Sequence, residues 1–181
     1  MAPVAGTHTL GPGDGELTVR TYRDGVAAKA GHDLIIAVEQ WEAAVTVAPE
    51  PAGWAIELRA DPRSLRVRTG VGGVKPLTDS DRAEIRKTID AKVLGGEPIV
   101  FRSTVVRPAD GGAMEVEGEL TMAGRTQPVA GMLTPAGGGR IAATIPLTQS
   151  RWGIKPYRGL LGALKVRDEV EVAIGVRLPG S

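Results

Sequence analysis

The stretch AMEVEGELTMAGRTQPVAGMLT, residues 113–134, decides the fold class of this chain. Its first half alternates between two kinds of side chain. One face carries Met114, Val116, Gly118, Leu120 and Met122, and the opposite face carries Glu115, Glu117, Glu119 and Thr121. Successive side chains of a strand point to opposite faces, so this period of two predicts a strand with one buried face. The turn Ala123-Gly124-Arg125 and a second segment, 127–134, complete a predicted hairpin.

The same alternation continues through most of the sequence. It predicts further strands at residues 16–23, 33–47, 54–60, 99–107, 140–148 and 165–178. Within 33–47 the apolar residues change face, which predicts a bulge near Glu39 and Gln40. Crossover helices that parallel pairing needs are absent between most strands, so we expect about eight antiparallel strands in one domain, residues 1–181. Either a closed barrel or a two-sheet sandwich fits this alternation.

Two segments have a helical pattern. Residues 24–30 predict a short helix with Asp24 as its N-cap. Residues 78–94 predict a longer helix that Thr78 caps and Gly95 ends. Its apolar residues form a narrow stripe of Ile85, Ile89 and Val93, so we expect this helix to lie across the mouth or side of the strands.

Composition excludes several classes of function. The 22 basic and 21 acidic side chains give a net charge of +1, and aromatic residues are few, so nucleic acid is not an expected partner. Cysteine is absent and the two histidines lie far apart, so no metal or other cofactor is expected. Because we find neither a signal peptide nor an apolar run of about 18 residues, we expect a cytoplasmic protein that does not span a membrane.

Three motifs permit both a functional and a structural interpretation. Adjacent His32 and Asp33 suggest a hydrolase or isomerase, although neighbours on a strand point to opposite faces. The glycine-rich residues 69–75 are either a flexible loop or, with Lys75, a site for an anionic head group. The long segment 149–164 either seals a cavity mouth or covers the end of the sheet.

Four motifs occur together in the second half of the chain. Residues 118–129, GELTMAGRTQPV, follow the pattern G-x-L-T-hydrophobic-x-G-x-T-x-P-V. Residues 98–104 (PIVFRST), 152–154 (WGI) and 168–172 (DEVEV) complete an ordered set. This set resembles the YceI-like family of lipocalin-like, polyisoprenoid-binding proteins. The first half of the chain agrees less, because residues 30–38 keep only a histidine followed by an apolar strand.

The resemblance implies an all-β fold, an extended antiparallel eight-stranded lipocalin-like barrel, with no catalytic residues and with frequent homodimers. It implies an elongated amphiphile in the lumen: a polyisoprenoid, an isoprenoid quinone or a fatty-acid-like lipid. The lumen-facing candidates are Ile99, Phe101, Val116, Leu120, Met122, Val129, Val172 and Ile174. Candidates at the mouth are Trp152, Ile154 and Leu161, and Lys75 is the head-group candidate. The alternative is a filled barrel that acts as a protein-interaction module.

Overall fold

One antiparallel sheet dominates the structure. The computed structural model describes residues 4–179, without the side chain of Leu160. Its strands are β1 (Gly6–Leu10), β2 (Gly15–Thr21), β3 (Arg23–Asp24), β4 (His32–Val38), β5 (Trp41–Val47), β6 (Ala55–Ala60), β7 (Leu65–Gly72), β8 (Ile99–Pro108), β9 (Met114–Met122), β10 (Arg125–Pro135), β11 (Arg140–Thr148), β12 (Arg158–Gly159), β13 (Leu164–Val166) and β14 (Glu169–Arg177). Strands β3, β12 and β13 form a small sheet, and the other eleven form the large one.

The large sheet curls into a half-barrel and does not close. Its strands follow the order β1-β5-β6-β8-β9-β10-β11-β14-β2-β4-β7. The all-β antiparallel class is therefore confirmed, whereas the predicted closed barrel of eight strands is wrong. The three additional strands are β1, β7 and the one gained because segment 33–47 is divided into β4 and β5.

A change of pairing partners replaces the predicted bulge near Glu39 and Gln40. Strand β4 pairs with β2 and β7, whereas β5 pairs with β1 and β6, so the change of apolar face marks a corner between two strands. A serine that is 3% exposed holds this corner. The Ser64 hydroxyl donates to the carbonyl of Asp61 (2.7 Å) and accepts from the backbone N–H of Gln40 (3.0 Å).

The long segment 149–164 and the segment predicted as a helix, 24–30, meet in the small sheet. Strand β13 pairs with β12 on one side and with β3 on the other, so the end of the long segment joins β3 in the small sheet. The helix prediction for residues 24–30 is wrong: Asp24 lies in β3 opposite Lys165, and only Ala28–Ala30 forms a 3₁₀ turn. Tertiary pairing with a distant strand overrides the local capping signal of Asp24.

The predicted helix at residues 78–94 is confirmed as α1 (Asp79–Thr88) with a π-helical continuation, Ile89–Leu94. Thr78 and Asp81 form a capping box, and Gly95 ends the helix with a positive φ of 62°. The Arg82 guanidinium donates to the carbonyls of Val67 (2.8 Å) and Arg68 (3.0 Å). These carbonyls belong to edge strand β7, so a helix covers this edge where a closed barrel would place another strand.

The corner serine gives a direct test of how the sheet is held. Ser64→Ala removes the acceptor of the partly buried Gln40 N–H and the donor to the Asp61 carbonyl, and we expect a loss of about 1 kcal/mol in the free energy of unfolding. Chemical denaturation measures this loss. The matched control is Ser80→Ala, because Ser80 is exposed on α1 and its replacement removes no buried hydrogen bond. Equal stabilities for the two variants would contradict the role given to the corner.

Candidate ligand-binding cavity

The curled sheet encloses a cavity of about 740 Å³. Both halves of the sheet line it: Ile56, Leu58 and Phe101 come from one half, and Leu34 and Ile36 come from the other. Side chains therefore do not fill the interior. Pockets for small organic ligands typically measure about 300–1,000 Å³ and have mostly apolar walls, and this cavity has both properties.

All of the lumen-facing candidates line this cavity. They are Ile99, Phe101, Val116, Leu120, Met122, Val129, Val172 and Ile174. The period of two places them there because every second side chain of a strand reaches the same face. Their contact with a ligand stays a prediction.

Gly118 determines where the ring of Phe101 lies. A Cβ atom at residue 118 would come within 2.6 Å of two carbons of that ring and within 2.3 Å of the Arg102 carbonyl oxygen. Only a glycine therefore allows the aromatic ring to cover the backbone of β9 at this point. The first glycine of the 118–129 motif thus has a packing role inside the cavity wall.

Helix α1 and its π-helical continuation supply a wall that the predicted lumen set did not include. Ile85, Ile89 and Val93 are half-buried, pack against the core and line the cavity. Their spacing already indicated one apolar helix face, so the signal was present in the sequence. Leu34 and Ile36 were also omitted from that set although their alternation was visible.

Basic and polar side chains gather where the cavity opens. This mouth is formed by Arg23, His32, Lys75, Tyr157 and Lys165, all of which line the cavity. Lys75 and Tyr157 are exposed, and the other three are half-buried. Within residues 4–179, no carboxylate lies at ion-pair distance from the ammonium group of Lys75 or Lys165. Two cationic groups without an ion-pair partner therefore lie beside an apolar interior whose lining also includes Asp81 and Glu84.

Close packing explains the glycine-rich segment 69–75. Residues 69–72 continue strand β7, so they are not a loop. Gly73 has φ of +76°, and a Cβ atom there would lie 2.4 Å from Nε2 of His32. That nitrogen in turn lies 2.8 Å from the Lys75 carbonyl oxygen. Glycine is thus required for the chain to turn over the imidazole and bring Lys75 to the mouth.

His32 and Asp33 interact with different partners. The Asp33 carboxylate accepts from the backbone N–H of Arg23 (2.8 Å), whereas the His32 imidazole bonds the Lys75 carbonyl group. The structure therefore gives no dyad in which the carboxylate orients the imidazole.

Asp81 also lines the mouth, but its carboxylate is engaged in capping. Hydrogen bonds from the backbone N–H and the hydroxyl of Thr78 hold the pKa of Asp81 below its usual value. The nearby His32 lowers this pKa further. Asp81 is consequently ionised at neutral pH, with its charge directed to the start of α1.

The three mouth candidates occupy different environments. Ile154 is buried and lines the cavity. Trp152 is 1% exposed and lies in the packed core outside the cavity lining, where its Nε1–H donates to the Leu120 carbonyl (2.9 Å). Leu161 also lies outside the lining and projects fully into solvent. Trp152 thus anchors the long segment to β9.

Residues 4–179 contain no group of three or more His, Asp or Glu side chains that could hold a metal ion. No helix in the same range is both long enough and apolar enough to cross a membrane.

Comparison with protein families settles the relationship. The model of the YceI-like domain matches residues 27–178, which is most of the chain. This chain belongs to the YceI-like family. No curated protein matches this YceI-like chain.

Solved structures share the fold of this YceI-like domain at low identity. Burkholderia cenocepacia BcnA superimposes with a TM-score of 0.61 at 18% identity, covering 88% of this chain and 94% of that one. A polyisoprenoid binding domain from Saccharophagus degradans, implicated in plant cell wall breakdown, superimposes with a TM-score of 0.53 at 9% identity. This match covers 90% of this chain and 94% of that domain's chain. A mutant CJ YceI protein with a monobromobimane guest superimposes with a TM-score of 0.51 at 11% sequence identity. This match covers 78% of this chain and 81% of that one.

The anchoring role of Trp152 can be separated from a general effect of tryptophan. Trp152→Phe removes the donor to a buried carbonyl, so we expect it to lower the free energy of unfolding by about 1–3 kcal/mol. The control is Trp54→Phe, which removes a comparable bond from Nε1 to the Ala48 carbonyl (3.0 Å) at a half-buried site that water can reach. Denaturant titrations of both variants should show the larger loss for Trp152→Phe. Equal losses would count against the anchor.

Proposed function

We propose that this protein holds one elongated amphiphile, a polyisoprenoid, an isoprenoid quinone or a fatty-acid-like lipid, and acts as a carrier or store for it. The apolar chain occupies the cavity, and the head group lies at the mouth. The observation that carries this proposal is the unfilled apolar interior of about 740 Å³ with a basic opening. The polyisoprenoid binding domain that shares the fold supports the same class of ligand.

The chemistry of the cavity wall favours a long apolar chain over a polar substrate. Val, Ile and Leu side chains dominate the lining, and Phe101 and Met122 add polarisable surface. Each buried CH₂ group contributes about 0.8 kcal/mol, so a long hydrocarbon chain binds without directed polar contacts. Methionine adapts its shape, which suits a pocket that accepts chains of several lengths.

The mouth favours an anionic or strongly polar head group. Lys75 and Lys165 present ammonium groups there, and Tyr157 adds a phenolic hydroxyl. The Arg23 guanidinium is partly committed, because it donates to the Gly31 carbonyl (2.7 Å) and lies 3.8 Å from the Asp33 carboxylate. The two lysines are therefore the residues with charge available to a ligand.

The rival functions have less support. A hydrolase or isomerase would need His32 to be oriented by an acid, but its Nε2 is paired with a backbone carbonyl. A protein-interaction module with a filled barrel does not account for the open interior. We therefore propose a binding protein without catalytic residues.

A blocking substitution tests the cavity as the binding site. Val172→Trp places a large ring in the lumen, and we expect it to weaken binding of a fluorescent long-chain lipid at least about tenfold. The probe is cis-parinaric acid, followed by its fluorescence on titration with protein. The matched control is Thr144→Trp, since threonine has nearly the shape of valine and Thr144 is exposed on the neighbouring strand outside the cavity. If both variants bind as the wild type does, or both lose binding alike while folded, the cavity is not the site.

A charge substitution tests the mouth. Lys75→Gln removes an exposed ammonium group, and exposed charge pairs contribute up to about 1 kcal/mol, so we expect a two- to fivefold loss for an anionic probe. An uncharged alcohol of the same chain length should bind unchanged. Lys87→Gln is the control, because Lys87 is exposed on α1 away from the cavity lining. An equal loss for the anionic and the uncharged probe would refute a head-group role for Lys75.

A further inference from the structure

Apolar side chains stand in solvent around the mouth of the cavity. Leu161 is fully exposed, at 110%, Val26 is 96% exposed and Val74 is 75% exposed. They lie on three separate connections: β3 to β4, β7 to α1, and β12 to β13. Scattered single apolar residues are ordinary on a surface, but three grouped around one opening indicate contact with an apolar phase.

The connections are held next to one another. The Ala27 N–H donates to the Ala163 carbonyl (2.9 Å), which brings the connection of Val26 against the β12–β13 hairpin of Leu161. Val74 lines the cavity directly after Gly73, whose backbone packs on His32. The three apolar tips therefore surround the mouth defined above.

Leu161 is held outward by its backbone. Its φ is 55°, in the left-handed region that a residue with a Cβ rarely adopts. The left-handed backbone of Leu161 costs free energy, and so does the exposure of its large apolar side chain to water in the isolated protein. An apolar phase that receives this side chain would offset both costs.

The segments that contain or flank these connections are basic. Residues 151–167 contain no acidic residue, and residues 25–32 and 72–77 contain none either. Their cationic side chains are Lys29, Lys75, Arg151, Lys155, Arg158, Lys165 and Arg167. Arg151 and Arg167 lie over the rings of Trp152 and Tyr22, whereas Lys29, Lys75, Lys155 and Arg158 are exposed. This is a strong local bias in a chain whose net charge is only +1.

Acidic groups border these basic segments, and several of them are held by hydrogen bonds within their own elements. The Asp33 carboxylate accepts from the Arg23 backbone, and that of Asp81 caps α1. The Asp168 carboxylate accepts from the N–H (2.8 Å) and hydroxyl (2.5 Å) of Ser150. Asp24 faces solvent in β3, and Asp79 and Glu84 lie exposed on α1. The basic segments therefore lie between acidic side chains on β3, on β4, on α1 and at Asp168.

We infer that the mouth is a docking surface for an anionic phospholipid bilayer. Val26, Val74 and Leu161 insert among the head groups, and the surrounding lysines and Arg158 bind the lipid phosphates. An amphiphile then passes between bilayer and cavity without crossing open water. This purpose rests on the proposed function, but the docking itself can be measured without any cargo.

Vesicle flotation of the purified full chain tests the inference. We expect binding to phosphatidylcholine vesicles that contain about 30% phosphatidylglycerol, and at least about tenfold weaker binding to pure phosphatidylcholine. Raising the salt from about 0.1 M to about 0.5 M should weaken binding to the anionic vesicles, because it screens the charges. Absence of binding to the anionic vesicles, or equal binding to both kinds, would overturn the inference.

Variants then assign the surface. The double variant Val26→Ser/Leu161→Ser and the double variant Lys155→Glu/Arg158→Glu should each reduce vesicle binding at least about tenfold. The controls are Val4→Ser/Met132→Ser and Lys87→Glu/Lys92→Glu, which change exposed residues of the same kinds away from the mouth. Equal reduction by the control variants would refute the assignment to the mouth.

A second readout separates docking from cargo binding. The Val26→Ser/Leu161→Ser variant should take up cis-parinaric acid added from ethanol as the wild type does, since neither residue lines the cavity. Vesicle binding by a wild type that takes up no fatty acid would remove the proposed function and keep the docking surface. Uptake of cis-parinaric acid by a wild type that does not bind vesicles would remove the docking surface and keep the proposed function.

Discussion

A curled sheet of eleven strands encloses more space than aliphatic side chains can fill, and the rest of the structure depends on this mismatch. Protein interiors normally pack as densely as organic crystals. Here the chain contains a single Phe, and that residue, Phe101, already lies on the cavity wall. Most of the remaining lining consists of Val, Ile and Leu side chains from both halves of the sheet and from the helical segment. A cavity follows from strand number and composition together.

Helix α1 covers the open edge of the sheet at strand β7. In a closed barrel, another strand would satisfy the carbonyl groups of β7, but here the Arg82 guanidinium satisfies two of them. The same helix turns Ile85 and Ile89 toward the lumen, so one element both protects the edge and completes the apolar wall. The opening that remains lies at the small sheet of β3, β12 and β13.

The sequence predicts best what depends on neighbouring residues. Strand parity is local, which is why Phe101, Val172 and the other inner-face candidates all reach the cavity. The capping box of Thr78 and Asp81 and the glycine after Leu94 are local signals too, and they give the correct helix. Strand β7 could have been found from the alternation of Leu65 and Val67 with arginines, although the glycines that follow obscure it.

What depends on distant partners could not be predicted. Asp24 carries a capping signal, but pairing with a strand about 140 residues later decides its conformation. The change of face after Val38 is visible in the sequence, yet only the pairing of β4 and β5 distinguishes a corner from a bulge. Closure is likewise a property of the whole sheet. The position of Trp152 in the core depends on the Leu120 carbonyl, which local sequence does not reveal.

Native mass spectrometry of freshly purified protein tests the central claim most directly. If the cavity holds an amphiphile, the spectrum contains the mass of the chain plus one lipid, and organic extraction releases that lipid for identification. Collisional activation should remove it as a single species, since one cavity of this size accepts one long chain. A spectrum with only the bare chain, both directly after purification and after incubation with excess long-chain lipids, would contradict the account.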